Sequence, residues 1–132
     1  MNKQITDLTH VAGRIMLALI FVLSGFGKLT SAAATMGYMQ AMGVPTLLFW
    51  PTVALELLGG LAIIVGFQTR LAALALAGFC VVSGALFHSN VADQMQMIML
   101  LKNIAMAGGL LLLVSSGSTA LALDTARAKH RD

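Results

Sequence analysis

Ionisable side chains interrupt the long apolar runs of this sequence, where a charge is expensive and therefore informative. Glu56 and His88 can carry protons, whereas Lys28 and Lys102 can donate hydrogen bonds or balance a negative charge. A charge at the centre of a membrane helix costs about 2.5–3.5 kcal/mol on insertion scales, so such residues face the bundle interior, pair, or reach an interface. Arg14 stands apart, near the start of the first run, and we expect a structural role for it.

The sum of these charges predicts the kind of ligand that the cluster would favour. Glu56 is the natural counter-ion of one lysine, which leaves one cation for an anionic or electron-rich polar ligand. Three plainer interpretations stay open. Lys28 could extend to the lipid head groups, Glu56 and Lys102 could pair only to fix helix register, and His88 could be an ordinary interfacial histidine.

Resident metals and haem are poorly supported by the residues present. Only His88 lies at the outer end of a run and His10 lies at the opposite face, which disfavours a haem with two histidine ligands. There is no Glu-x-x-His pair, and the single cysteine, Cys80, excludes Cys-rich metal sites, so we predict no bound metal. Methionine thioethers keep copper(I) open as an alternative to simple space filling. The methionines concerned are Met36, Met39, Met42, Met95, Met97 and Met99.

Membrane helices are the elements that must position these side chains. Of 132 residues, 58% are hydrophobic and 10% charged, with a mean hydropathy of +0.89, which excludes disorder, a coiled coil and a soluble nucleic-acid binder. Four apolar runs each approach the roughly 20 residues that cross a bilayer. They predict an all-α bundle of four transmembrane helices in a single domain, residues 1–132. The predicted spans are residues 11–29, 46–66, 69–88 and 97–116.

The connections between the spans predict an orientation. Residues 30–45 and 89–96 contain no Lys or Arg, whereas the N-terminal segment, the turn at Arg70 and the basic tail 117–132 do. The positive-inside rule then places both termini in the cytoplasm. The first connection is long enough to hold a short helix near the interface. Small residues at Gly25, Gly27, Gly59, Gly60, Gly108 and Gly109 are predicted to let helices approach closely.

Short motifs follow one another across nearly the whole chain, from about Ala12 to Asp124. The motifs are Arg14, Ser24-Gly25-x-Gly27-Lys28, Tyr38-Met39, Met42-Gly43-Val44-Pro45, Glu56-x-x-Gly59-Gly60, Gly66-x-x-Thr69-Arg70, Phe87-His88-Ser89-Asn90, Lys102-Asn103 and Gly108-Gly109. In order and spacing they resemble the DoxX family of small four-helix membrane proteins, and most of all its short bacterial inner-membrane members described as quinol oxidase subunits.

The resemblance implies a quinone-linked role in the bacterial inner membrane. Some relatives are subunits of a thiosulfate:quinone oxidoreductase or associate with a terminal quinol oxidase. We therefore expect a quinone head group in the outer half of the bundle, with no covalently bound cofactor. Lipid, a redox partner subunit and a second copy of the chain are the expected partners, and nucleic acid is not. The predicted roles are proton transfer for Glu56 and His88, and quinone binding for Lys28, Lys102, Asn103 and Tyr38.

Two other classes of function remain alternatives at this stage. The same positive cluster would suit a transporter of a small anion, or of copper if the methionines take part. The chain could also be a non-catalytic membrane subunit that organises a redox complex. Whether the chain is itself an enzyme is left open by its sequence.

Overall fold

The computed structural model describes residues 1–131, and these residues form helices and turns without a β-strand. Residue 132, the last of the predicted basic tail, lies outside the described residues. The elements are α1 (Lys3–Thr30), α2 (Ala32–Ala41), a 3₁₀ turn (Thr46–Leu48), α3 (Phe49–Val65), α4 (Thr69–Phe87), α5 (Gln94–Ser116) and α6 (Leu123–Lys129).

Four segments within residues 1–131 are long and apolar enough to cross a membrane: α1, the 3₁₀ turn with α3, α4, and α5. The prediction of an all-α bundle with four spans is confirmed. The predicted short helix of the first connection is α2. Helix α1 begins at Lys3, earlier than the apolar run, because the Asn2 side chain caps it by accepting a hydrogen bond from the amide of Ile5.

The four long helices pack in the order α1, α3, α4, α5, and α1 meets α5 only sparsely. Their shared core includes Phe21, Ile63, Leu76 and Leu110. Most other apolar side chains of these helices face outward, as expected where the solvent is lipid. Both termini and the turn between α3 and α4 lie at one end of the bundle, here called the tail end. Helix α2 and the connection from α4 to α5 lie at the other, the cavity end.

Glycines let α1 and α3 cross closely. A Cβ atom on Gly60 would lie 2.8 Å from Val22 Cγ2 and 3.3 Å from the carbonyl oxygen of Ala18. A Cβ on Gly25 would lie 2.7 Å from Leu57 Cγ. The predicted glycines differ in this respect. Gly59 faces Leu76 at 3.2 Å and Gly109 faces Leu17 at 3.5 Å, whereas Gly27 and Gly108 have nothing within 4 Å.

Gly60→Ala is expected to lower the free energy of unfolding by about 1–3 kcal/mol, because the stiff Val22 side chain and the α1 backbone leave no room for a methyl group. The matched control is Gly108→Ala, which enters open space and gains the better helix propensity of alanine. Thermal unfolding of the purified variants, followed by helical circular dichroism, measures both. Equal melting temperatures for the two variants would contradict the packing argument.

The C-terminal segment after α5 folds back onto the tail end, which a basic tail does not predict. The Asp124 carboxylate accepts hydrogen bonds from the amides of Gln68 (2.7 Å) and Thr69 (2.9 Å), and thereby caps α4. The backbone amide of Asp124 donates to the carbonyl oxygen of Gly66 at 2.8 Å. Burial alone would raise the pKa of Asp124, but the hydrogen bonds from Thr69 and Gln68 outweigh burial and lower it.

Arg14 is the second attachment of this segment. Its side chain is 2% exposed, and the guanidinium donates to the carbonyl oxygens of Ala120 (3.2 Å), Leu121 (2.9 Å) and Ile64 (3.3 Å). Arginine therefore ties α1 to the end of α3 and to the C-terminal segment through backbone acceptors. Cytoplasmic placement of the tail end stays a prediction, made from its basic residues.

Candidate functional site

A cavity of about 410 Å³ opens among the helices at the cavity end of the bundle. All four long helices and α2 contribute to its walls, which are mostly apolar. Phe21, Phe49, Leu55 and Phe79 are among the lining residues. Every residue predicted to bind or transfer protons also lines it: Lys28, Tyr38, Glu56, His88, Lys102 and Asn103.

An ion pair between α1 and α3 forms the polar part of one wall. The Lys28 Nζ atom lies 2.7 Å from Glu56 Oε1 and donates a hydrogen bond of 2.7 Å to Ser24 Oγ. Glu56 is 2% exposed. The ammonium lies close to Glu56 Oε1 but does not form a hydrogen bond with it. The contact therefore balances the charge of the carboxylate without a directed donor. Since an ammonium has three donors, Lys28 keeps at least one beyond these two contacts.

This pair decides which lysine is the counter-ion of Glu56. The open interpretation in which Glu56 pairs with Lys102 is wrong, because α1 packs against α3 and brings Lys28 to the carboxylate. Lys28 also does not simply extend to head groups. Its place in the last turn of α1 is favourable for a cation, since the helix dipole is negative there. Among residues 1–131 this is the one ion pair inside the bundle.

His88 caps the end of α4 and lies half-buried at the cavity. Its Nδ1 atom is 2.8 Å from Gln96 Oε1. With the carboxamide oxygen as acceptor, Nδ1 donates the hydrogen bond, and Nε2 of the neutral ring keeps a lone pair that can accept a proton.

Asn103 and Tyr38 line the cavity in different ways. The Asn103 amide nitrogen donates to the carbonyl of Cys80 at 3.1 Å and to Ser83 Oγ at 3.2 Å. Both of its protons are thus used to attach α5 to α4. The Tyr38 ring stacks on Phe87 with 5.4 Å between centroids, which links α2 to the end of α4.

Lys102 differs from Lys28 and Glu56 because its side chain is exposed on the surface of the bundle. Its closest polar contact in the described chain is weak, from Nζ to Met99 Sδ at 3.6 Å. Among the methionines considered for copper, Met39 packs into a small apolar core with Val44 and Phe49. Within residues 1–131 there is no cluster of three His, Cys, Asp or Glu side chains that suits a metal.

Ser24 and Gln96 are among the polar residues of the site that were not predicted. Ser24 lies four positions before Lys28, so helical spacing alone places it on the same face and could have indicated the contact. The contact of Gln96 with His88 could not be predicted in this way, because it depends on the path of the connection from α4 to α5. Arg14 lies far from the cavity, at the tail end.

Comparison with known proteins gives a consistent result. The DoxX family model matches residues 10–89. The inner membrane protein YqjF of Escherichia coli (strain K12) is 42% identical over 122 residues, which cover 92% of this chain and 94% of YqjF. The inner membrane protein YphA of the same organism is 30% identical over 118 residues, covering 84% of each chain. No solved structure matches significantly.

Proposed function

The chain belongs to the DoxX family, and from that membership and its cavity we propose that this four-helix inner membrane protein binds a quinone or quinol as part of a quinone-linked oxidoreductase. One observation carries the proposal. A largely apolar cavity of about 410 Å³ lies within a membrane bundle and has the Lys28–Glu56 pair and His88 at its walls.

The cavity matches the two halves of a quinone. Its volume falls in the range of roughly 300–1,000 Å³ that is usual for small-molecule sites, which are mostly apolar with a few fixed polar groups. Apolar residues that line it and are also exposed, such as Ile20, Val82 and Leu86, mark an opening towards lipid. An isoprenoid tail can leave through that opening while the ring stays among the polar side chains.

Each polar group has a defined part in this proposal. The remaining N–H of Lys28 donates to a ring oxygen, and Glu56 and Ser24 hold the ammonium in place. Because the pair is neutral overall, it accepts an uncharged ring more readily than two free cations would. Oxidation of a quinol releases two electrons and two protons. His88 Nε2 accepts one hydroxyl proton and the Glu56 carboxylate accepts the other, while the two electrons pass to a redox partner subunit.

Quinone binding is tested through the single tryptophan, Trp50, which adjoins the lining residues Phe49 and Pro51. A short-chain quinone added to the protein in lipid nanodiscs is expected to quench its fluorescence saturably. In the double variant Lys28→Met/Glu56→Gln we expect binding about tenfold weaker or worse, since a charge-assisted hydrogen bond is lost. Lys3→Met, at the far end, should bind like the parent chain.

Lipid extraction of the gently purified protein gives an independent measurement. We expect quinone in the extract, and we expect the molar ratio of quinone to protein to be lower for the double variant. If no quinone co-purifies and quenching is the same in all variants, the proposed function is wrong.

The neutral Lys28–Glu56 pair also makes small-anion transport the weaker candidate, since it leaves only one uncompensated cation.

A further inference from the structure

We propose that Lys102 is an anion-recognition residue at the mouth of the cavity, and that the site prefers amphiphiles whose head carries a negative oxygen beside an apolar chain. Ionised hydroxyquinones have this chemistry. The inference deepens the proposed function and rests on it for the ring, but the anionic preference can be measured separately.

The charge balance of the cavity is the first support. Its lining has two cations and one acid, and Glu56 is already paired with Lys28 at 2.7 Å. Lys102 has no ion-pair partner among residues 1–131. The other acid at this end, Asp93, is engaged at the start of α5, where its Oδ1 atom accepts from the amide of Met95. Lys102 is therefore the uncompensated cation of the site.

The position of Lys102 is the second support. It lies on a membrane-spanning helix, about 12 Å along α5 from Gln94 at the usual helical rise. Its exposed neighbours Ile98 and Leu101 are apolar. An ammonium in such surroundings is unfavourable unless an anion or water compensates it. Since the side chain lines the cavity and is also exposed, a ligand that enters from the lipid meets it at the opening.

The rest of the wall supplies the complement to that charge. Apolar side chains cover most of the cavity, so the favoured ligand combines a negative oxygen with an apolar body. A neutral ring can still bind beside Lys28, but it leaves Lys102 uncompensated. The predicted preference is therefore for the ionised ligand over a neutral one of the same size.

Two naphthoquinones with the same alkyl chain test this preference. One carries a 2-hydroxyl group that is ionised at neutral pH, and the other carries a 2-methyl group and is neutral. In nanodiscs we expect the hydroxyquinone to bind about tenfold more tightly by Trp50 quenching. Lys102→Gln should remove most of that difference, so that the two quinones bind with similar affinity. Lys102→Arg should keep the preference, and Lys3→Gln is the matched control.

The outcomes separate the two proposals. If both quinones bind with Lys28-dependent affinity but Lys102→Gln leaves their ratio unchanged, the inference is overturned and the proposed function stands. If neither quinone binds but dodecyl phosphate does so, with Lys102-dependent affinity by calorimetry, the proposed function fails and anion recognition stands. If none of the three binds, both are wrong. Because Lys102 is exposed, its variants should fold, and equal melting temperatures check this.

Discussion

Glu56→Gln is expected to lower the free energy of unfolding by about 3–5 kcal/mol, because it leaves a lysine inside the bundle without its counter-ion. The Lys28 side chain is 26% exposed, so we expect the lower part of that range. The neutral amide keeps the shape of the carboxylate, and the effect therefore reports charge rather than volume. Thermal unfolding in detergent, followed by helical circular dichroism, measures it.

A double-mutant cycle tests whether the loss comes from the pair. Lys28→Met/Glu56→Gln removes both charges and should recover much of the stability lost by either single change. The exposed pair Lys3–Asp7, with 3.0 Å between Nζ and Oδ2, is the matched control. Its neutralisation should cost less than about 1 kcal/mol. Simple additivity of the two single effects at Lys28 and Glu56 would contradict a coupled pair.

Arg14→Met should produce the second large loss, because the buried guanidinium no longer donates to its three partly buried carbonyl acceptors. Leaving a buried polar group unsatisfied costs about 1–3 kcal/mol, so we expect a loss of about that size. The C-terminal segment should also open more often. Tryptic cleavage after Arg127 and Lys129 is therefore expected to accelerate, and timed digestion with mass analysis measures it.

Arg70→Met is the matched control for Arg14→Met. Arg70 lies at the same end and reaches the carbonyl of Ser116 only at 3.5 Å, on the exposed surface. We expect little change in stability or in the rate of digestion. If both arginine variants behave alike, the carbonyl contacts of Arg14 do not hold the C-terminal segment.

The spans could be predicted from the sequence because the hydrophobic signal of each run is long and continuous. The cavity-lining charges could be predicted for the converse reason, since charge is rare in such runs and must be compensated. The partner of Glu56 could not be predicted from the sequence. Whether Lys28 or Lys102 reaches it depends on the order of helices around the bundle, and a run of apolar residues does not encode that order.

The packing of the C-terminal segment onto the bundle could not be predicted either, for a different reason. Its attachment rests on a few hydrogen bonds over long sequence separations, such as those from Arg14 to Leu121 and from Thr69 to Asp124. Neither contact produces periodicity, and the basic composition of the segment is typical of a solvated tail. Arg14 could be recognised as out of place in an apolar run, but its partners are backbone carbonyls, which every residue carries.

The long separation between Arg14 and its acceptors also sets an order of events during synthesis. The Ala120 carbonyl follows Arg14 by 106 residues, which take about 5–20 s to translate at usual rates. During that interval the first helix can insert while its guanidinium lacks all three acceptors at first, and still lacks two of them after Ile64 has been added. Water or lipid phosphates must solvate the arginine until the segment arrives. The tail end is thus completed late, and slow translation of the last third would prolong the stage at which the nascent bundle is open there.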